Sequence, residues 1–307
     1  MTPPPPLIFD RWLLRVRRLR GLRLGPETFL LDRIADEFAH RLRLVLRRFD
    51  LAADLGTPTA AVRTAAMGDG AIGTMIAVDP MFGAAQRVAC DDTDSSLHVA
   101  ADEEALPFGD GTLDLVVSGL SLQAVNDLPG VLVQVRRALK PDGLFLAALF
   151  GGETLTELRR SFAVAESDLD GGVSPRVAPF VDVREMGALL QRAGFALPVT
   201  DVDRITVRYS TPFRLLHDLR RMGASNPLVE RRRVPLRRAS LMRAMEIYAE
   251  RFADPDGKVR ASFDIVWLSG WSPHESQQQP LRPGSAKQRL ADALGTAEIP
   301  AGEKPEQ

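Results

Sequence analysis

The chain has 307 residues, 45% of them hydrophobic, and a formal net charge of −1. That is enough apolar material for the core of one large domain, with or without an appendage. No uninterrupted apolar run approaches the roughly 18 residues needed to cross a bilayer, so no integral membrane segment is expected. The single cysteine, Cys90, excludes an intrachain disulfide and every multi-cysteine zinc site.

The opening stretch, "MTPPPPLIFDRWLLRVRRLRGLRLG", is Arg-rich and acid-poor. A mitochondrial presequence is one reading; the preferred one is a basic helix with Trp12, Leu13, Val16 and Leu19 packed against the body. Prolines at residues 3–6 oppose an early helix, and no apolar core precedes a small-residue cleavage site, so a secretory signal does not fit. Over residues 27–49, Leu30, Leu31, Ile34, Phe38, Leu42, Val45 and Leu46 recur at helical spacing and predict an amphipathic helix.

Short apolar runs then alternate with helical patterns: "LAADLG", "TMIAVD", "SLHVAAD", "LDLVVSGLSL" and "LFLAALFGG". This texture predicts an α/β fold, a mostly parallel sheet with helices on both faces. After the fourth run, Asp127 is placed to cap a helix that Pro129 helps to start, and "KPDG" turns that helix directly into the fifth strand. Further helices are expected at residues 153–166, 183–194, 212–222 and 241–252, with strands near 197–203, 205–209 and 262–267. The Gly/Pro-rich segment "DLDGGVSPRVAPF" is read as a loop able to cover the sheet's ligand edge. The organisation expected is a basic helical segment (1–50), a sheet domain with helical insertions (51–271) and a mostly flexible polar tail (272–307).

Ligands of open parallel sheets sit beyond the carboxyl ends of the strands, near the switch point. Asp54 ends the first strand, Asp79 the second, and Asp102 follows the third. Asp79 is placed to accept hydrogen bonds from two ribose hydroxyls, and Asp102 to receive an adenine amino group. Each has a plainer reading: Asp54 as a helix cap, Asp102 with Glu103 and Glu104 as a solvated helix start. Ser118, near the end of the fourth strand, is a further cofactor-side candidate. The histidines His40, His98, His217 and His274 show no recognisable ligand spacing, and no metal site is expected.

This ordering of acids resembles the class I S-adenosyl-L-methionine (SAM)-dependent methyltransferase fold, Rossmann-like and seven-stranded. The run "DEEALPFGDGTLDLVVSGLSLQAVNDLPGVLVQVRRALKPDGLFLAALFGGETLTELR", with "AESDLDGGVSPRVAPFVDVREMGALLQRAGF", "LLHDLRRMGASN", "GWSPHESQQQPLRPGSA" and the initial "FDRWLLRVRRLR", resembles the mitochondrial complex I assembly factor 5 family and its bacterial relatives. The resemblance covers nearly the whole chain. It implies SAM as cofactor and a protein substrate, such as a complex I subunit modified by arginine hydroxylation or methylation. It also implies peripheral contact with a respiratory complex, and residence in a bacterial cytoplasm, or in the matrix of a eukaryote. Nucleic acid is not an expected partner.

The usual SAM loop carries alternating glycines after the first acid, which let the backbone approach the cofactor. Here Gly56 is present, but Pro58 and Ala60 stand where further glycines are expected, and Pro58 lacks an N–H donor. Two alternatives therefore stay open: a non-catalytic assembly factor with a degenerate SAM site, and an enzyme like the malonyl-acyl-carrier-protein O-methyltransferase. Asp127, Glu153 and Glu157 are candidates to pair with a substrate guanidinium, each with a local helix-capping or helix-dipole reading beside it.

Overall fold

In a computed structural model, residues 7–81 and 96–278 are described, together with 292, 295 and 296. Cys90 and most of the polar tail lie outside these residues. Residues 1–273 and 274–307 form separate units, and the sheet and its helices belong to the first.

The strands are β1 (Phe49–Leu55), β2 (Ile72–Val78), β3 (Leu97–Val99), β4 (Leu113–Gly119), β5 (Leu139–Phe150), β6 (Ala196–Tyr209) and β7 (Val259–Trp271). They form one seven-stranded sheet in the order β3-β2-β1-β4-β5-β7-β6. Pairing is parallel from β3 to β5, and β7 runs antiparallel to both β5 and β6. The chain reverses its direction of travel across the sheet between β1 and β4, which opens a crevice at their carboxyl ends.

The helices are α1 (Arg11–Arg23), α2 (Phe29–Leu44), α3 (Ala61–Met67), α4 (Leu128–Ala138), α5 (Thr156–Asp170), α6 (Val183–Arg192), α7 (Pro212–Arg221) and α8 (Arg238–Phe252). Alternation along the strands divides the core in two. Ala52, Leu115, Val117, Leu144 and Leu146 face helices α2, α3, α5, α7 and α8. Ala53, Leu55, Val116, Phe145 and Ala147 face α4 and α6. The sequence expectation of helices on both faces is met for the reason given: buried strands have no polar face to show to water.

Some boundaries differ. The two expected strands at 197–203 and 205–209 are the single strand β6, in which Arg204 pairs in register with Asp264 of β7. The "KPDG" turn is absorbed into β5, where Asp142 takes φ 63° and the register against β4 shifts. Helix α5 runs on through Asp170 before Gly171 ends it in a left-handed cap. Helix α2 stops at Leu44 because Val45 turns extended, leaving Leu46 95% exposed rather than on the buried face.

Candidate functional site

At the end of β1, Gly56 has φ +66° and its N–H donates to the Val78 carbonyl at 2.8 Å. A Cβ there would collide with the carboxylate of Glu103 and stand 2.5 Å from Ser121 Oγ. Glycine is thus required twice over, by the left-handed backbone and by the close approach. Asp54 is fully buried beneath this loop. Its Oδ2 accepts from Arg63 Nη1 of α3 at 2.8 Å, and its Oδ1 from the Thr57 hydroxyl. Thr57 Oγ1 also accepts from the Gly119 N–H at 2.9 Å, while the Ser118 hydroxyl donates to the Leu55 carbonyl at 2.7 Å. Asp54 and Ser118 therefore shape the crevice from below, and Gly56, Pro58 and Thr59 line it. Ala60 is the residue preceding α3 and supplies no side-chain cap.

Asp79 follows β2. Its N–H donates to the Val99 carbonyl at 3.1 Å, its Oδ1 accepts from the Met81 N–H at 2.8 Å, and it lines the same crevice. Asp102 lies after β3, but Asp102, Glu103 and Glu104 form no helix start and are not simply solvated. Glu103 is 2% exposed and accepts from the Ser121 hydroxyl at 2.9 Å.

The groups that meet this acidic run come from α1. Arg11 Nη2 donates to Asp102 Oδ1 at 2.6 Å and also to Glu103, with Nη1 3.5 Å from Glu104; Arg15 donates to Asp102 as well. Arg18 reaches deeper, with Nη2 3.2 Å from Ser121 Oγ, Nη1 3.4 Å from the Gly56 carbonyl and 3.7 Å from Glu103. Burial pulls the Arg18 guanidinium below its ordinary value, while Glu103 and Asp79 act in the opposite sense. The stripe Arg11, Leu14, Arg15, Arg18 thus faces inward. The expected inward face is corrected at two of its four residues: Trp12 is 70% exposed and Val16 42%, while Leu13 and Leu19 are half-buried. Salt bridges and Leu14, rather than an apolar stripe, seat the helix.

Two devices fix α1. Asp10 caps it, accepting from the Leu13 N–H at 2.9 Å, and Asn126 Oδ1 accepts from the N–H groups of Ile8 and Phe9, each at 2.8 Å. Gly21 and Gly223 then let backbone meet backbone: a Cβ on Gly21 would lie 2.5 Å from the Arg221 carbonyl oxygen, and one on Gly223 2.7 Å from Arg18 Cα.

Under α1 the crevice encloses about 90 Å³, lined by Arg18, Gly56, Pro58, Thr59 and Asp79 among others. That is room for several waters rather than a nucleoside, which needs a few hundred Å³. The chemistry nonetheless suits such a ligand: an acid at the end of β2, a glycine loop after β1 and an arginine opposite. A second cavity of about 410 Å³ adjoins it, sharing Leu14, Gln123, Ala124, Phe150 and Ala224. Its walls are largely apolar, with Arg176, Ala178 and Phe180 contributed by the Gly/Pro-rich segment, and among the described residues no carboxylate lines it.

The three candidate partners for a guanidinium stand elsewhere. Asp127 caps α4, accepting from the Gly130 N–H at 2.8 Å. Glu157 is buried and accepts from the Ser262 hydroxyl at 2.6 Å and its N–H at 3.1 Å, tying α5 to β7. Glu153 is exposed in the turn before α5. None of the three lines either cavity.

The methyltransferase domain family model matches residues 53–147, which span β1 to β5. The human mitochondrial arginine-hydroxylase NDUFAF5 is 40% identical over 91% of this chain and 81% of its own length. The chain belongs to the NDUFAF5 family. The rat NDUFAF5 is 38% identical over 93% of this chain and 83% of its own. Solved structures agree on the fold. A methyltransferase-like protein from Bacillus halodurans superimposes with a TM-score of 0.53, at 14% identity, over 77% of this chain and 99% of its own. The YcgJ protein of Bacillus subtilis gives 0.52, also at 14%, over 77% and 98%. This member of the NDUFAF5 family therefore has the class I methyltransferase fold. Among its described residues no helix is long and apolar enough to cross a membrane.

Proposed function

We propose that this NDUFAF5-family protein binds SAM in the crevice at the ends of β1 and β2 and modifies an arginine of a protein substrate, a complex I subunit, during assembly of that complex. The observation that carries the reading is the 40% identity to an arginine-hydroxylase across 91% of the chain. It acts in the cytoplasm of a bacterium, or in the matrix if the source is eukaryotic. Asp79 receives the ribose hydroxyls and the Gly56 loop receives the amino-acid end. Asp102, which does not line the crevice as it stands, meets the adenine once α1 shifts, giving up the Arg11 and Arg15 contacts and widening the space beyond its present 90 Å³ or so. When bound, SAM supplies an electrophilic methyl group. The fold does not select methylation over hydroxylation, and the modified arginine decides between them.

Calorimetric titration with SAM and S-adenosylhomocysteine tests the first half. Micromolar binding that Asp79→Ala abolishes supports the site; no heat at high ligand concentration leaves a non-catalytic assembly factor. Mass spectrometry of the subunit, with and without the protein, then reports whether an arginine gains a methyl group, an oxygen atom or nothing.

The second cavity favours one further reading. Its apolar walls, with no carboxylate among the described residues that line it, suit an acyl group better than a guanidinium. The malonyl-acyl-carrier-protein O-methyltransferase of Laribacter hongkongensis is 38% identical over 61% of this chain and 60% of its own. Methyl-ester formation on a malonyl-carrier substrate would establish that activity, and its absence would remove it.

A further inference from the structure

We propose that the cavity of about 410 Å³ binds a single-chain anionic amphiphile, with the chain inside and the head, a carboxylate or phosphate, at Arg220. The proposal is independent of the SAM reading. It also goes beyond the malonyl reading, whose short acyl group would fill only a small part of this space.

The walls are apolar, yet they do not close on one another. Leu155, Leu158, Phe162, Leu219 and Phe263 line the cavity, and each is at most 7% exposed. Protein interiors are packed to the density of organic crystals, and apolar walls left without neighbours forfeit their contacts. Polar ties between the surrounding elements fix the spacing here. Buried Glu166 of α5 accepts from Arg176 Nε at 2.7 Å and from the Ser174 N–H at 2.8 Å, and the Pro175 carbonyl accepts from Asn226 Nδ2 at 2.6 Å. These bonds hold the Gly/Pro-rich segment as a wall. Asp170, its side chain 1% exposed, accepts from the Ser240 hydroxyl at 2.9 Å and so joins α8 to α5. At about 30 Å³ per chain carbon, the share of one water in the liquid, the space takes a chain of roughly a dozen carbons.

Charge around the cavity selects the head. Two arginines line it: Arg176 is committed to Glu166, while Arg220 is exposed and its guanidinium has no partner among the described residues. The run from Leu228 to Leu241, whose Leu236 and Leu241 form part of the wall, carries Arg231, Arg232, Arg233, Arg237 and Arg238 against a single acid, Glu230. Arg231 is spent on Asp10, and Arg232 and Arg237 share Asp170 at 3.3 Å. Arg233 and Arg238 have no ion-pair partner among the described residues. Arg238 stands one turn before Leu241 on α8, on the face that borders the cavity. The excess of positive charge attracts an anionic head and repels a cationic one, while the chain gains by leaving water.

The test is calorimetry on the full chain with dodecanoate, dodecyl phosphate and dodecyltrimethylammonium, each below its micellar concentration. Both anions should bind at least about 10-fold more tightly than the cation, the range for a charge-assisted hydrogen bond. Octanoate should bind more weakly than dodecanoate, by about fourfold per carbon removed. Arg220→Gln should shrink the preference for the anions and leave the dependence on chain length. Ala178→Phe, which puts a ring into the cavity, should abolish binding of dodecanoate, with circular dichroism reporting that the chain is folded. Equal affinity for anion and cation in wild type, no dependence on chain length, or full binding by folded Ala178→Phe would each overturn the proposal. Binding to phosphatidylglycerol vesicles without binding of monomeric dodecanoate would also overturn it, and would make the arginine run a membrane contact instead. None of these outcomes bears on whether SAM binds.

Discussion

Arg63 of α3 donates to Asp54 at 2.8 Å, and the Asp54 side chain has no exposed surface. The acid at the end of β1 is therefore half of a buried ion pair that pins the following helix to the strand. Removing one partner strands a charge in the core, at about 3–5 kcal/mol. Arg63→Met should lower unfolding free energy by about 3 kcal/mol in urea, and Asp54→Asn in the same background should recover a large part of it. A double variant no more stable than Arg63→Met would show that the pair is not what holds α3.

Gly56→Ala places a methyl group on the Glu103 carboxylate and a side chain at φ +66°. The backbone alone costs about 1–2 kcal/mol, and relief of the collision must displace Glu103 from Arg11. The expected outcome is a loss of at least about 2 kcal/mol together with weaker SAM binding, read by denaturation and calorimetry. Unchanged stability would mean that the loop relaxes freely.

The ion pairs of Arg11 and Arg15 cover the carboxylate that an adenine would address. Exchanging them for glutamine should speed SAM association, because the contact on Asp102 no longer has to break first. Trp12, exposed on the outer side of α1, offers a fluorescence reporter for stopped-flow measurement. Because both pairs are partly exposed, raising the salt concentration should mimic the substitutions in part. Association unaffected by both would mean that α1 does not move on binding.

Gly223→Ala tests the seat of α1, since the added Cβ would press on Arg18 Cα at 2.7 Å. Backbone cannot yield as a side-chain tip can, and Gly223 itself has φ +70°. A drop of several degrees in thermal midpoint and faster proteolysis between α1 and α2 are expected, with SAM affinity falling alongside.

Asp127→Ala should cost about 1 kcal/mol through loss of the α4 cap, and Asp127→Asn much less, since asparagine caps nearly as well. Thermal denaturation distinguishes the two. An equal loss in both variants would point to a role for the charge beyond capping.

The sequence by itself determined the alternation of strands and helices, the acids at the ends of β1 and β2, and the cap of α4. Those are local: periodicity, strand-terminal residues and a capping aspartate act within a few positions of one another. That Pro58 offers no N–H is equally local, since proline lacks a donor wherever it sits. What α1 does was not legible. Helical periodicity places Arg11, Leu14, Arg15 and Arg18 on one stripe, but a hydrophobic reading turns Trp12 and Val16 inward, since apolar faces usually meet the core. The partners that reverse this choice are distant: Asp102 is 87 residues from Arg15, and Ser121 is 103 from Arg18. Only the tertiary structure brings an acidic run after β3 and the Gly223 backbone against one helix. With those charges facing it, burying arginines against carboxylates outweighs burying a tryptophan, and the N-terminal helix becomes a wall of the site.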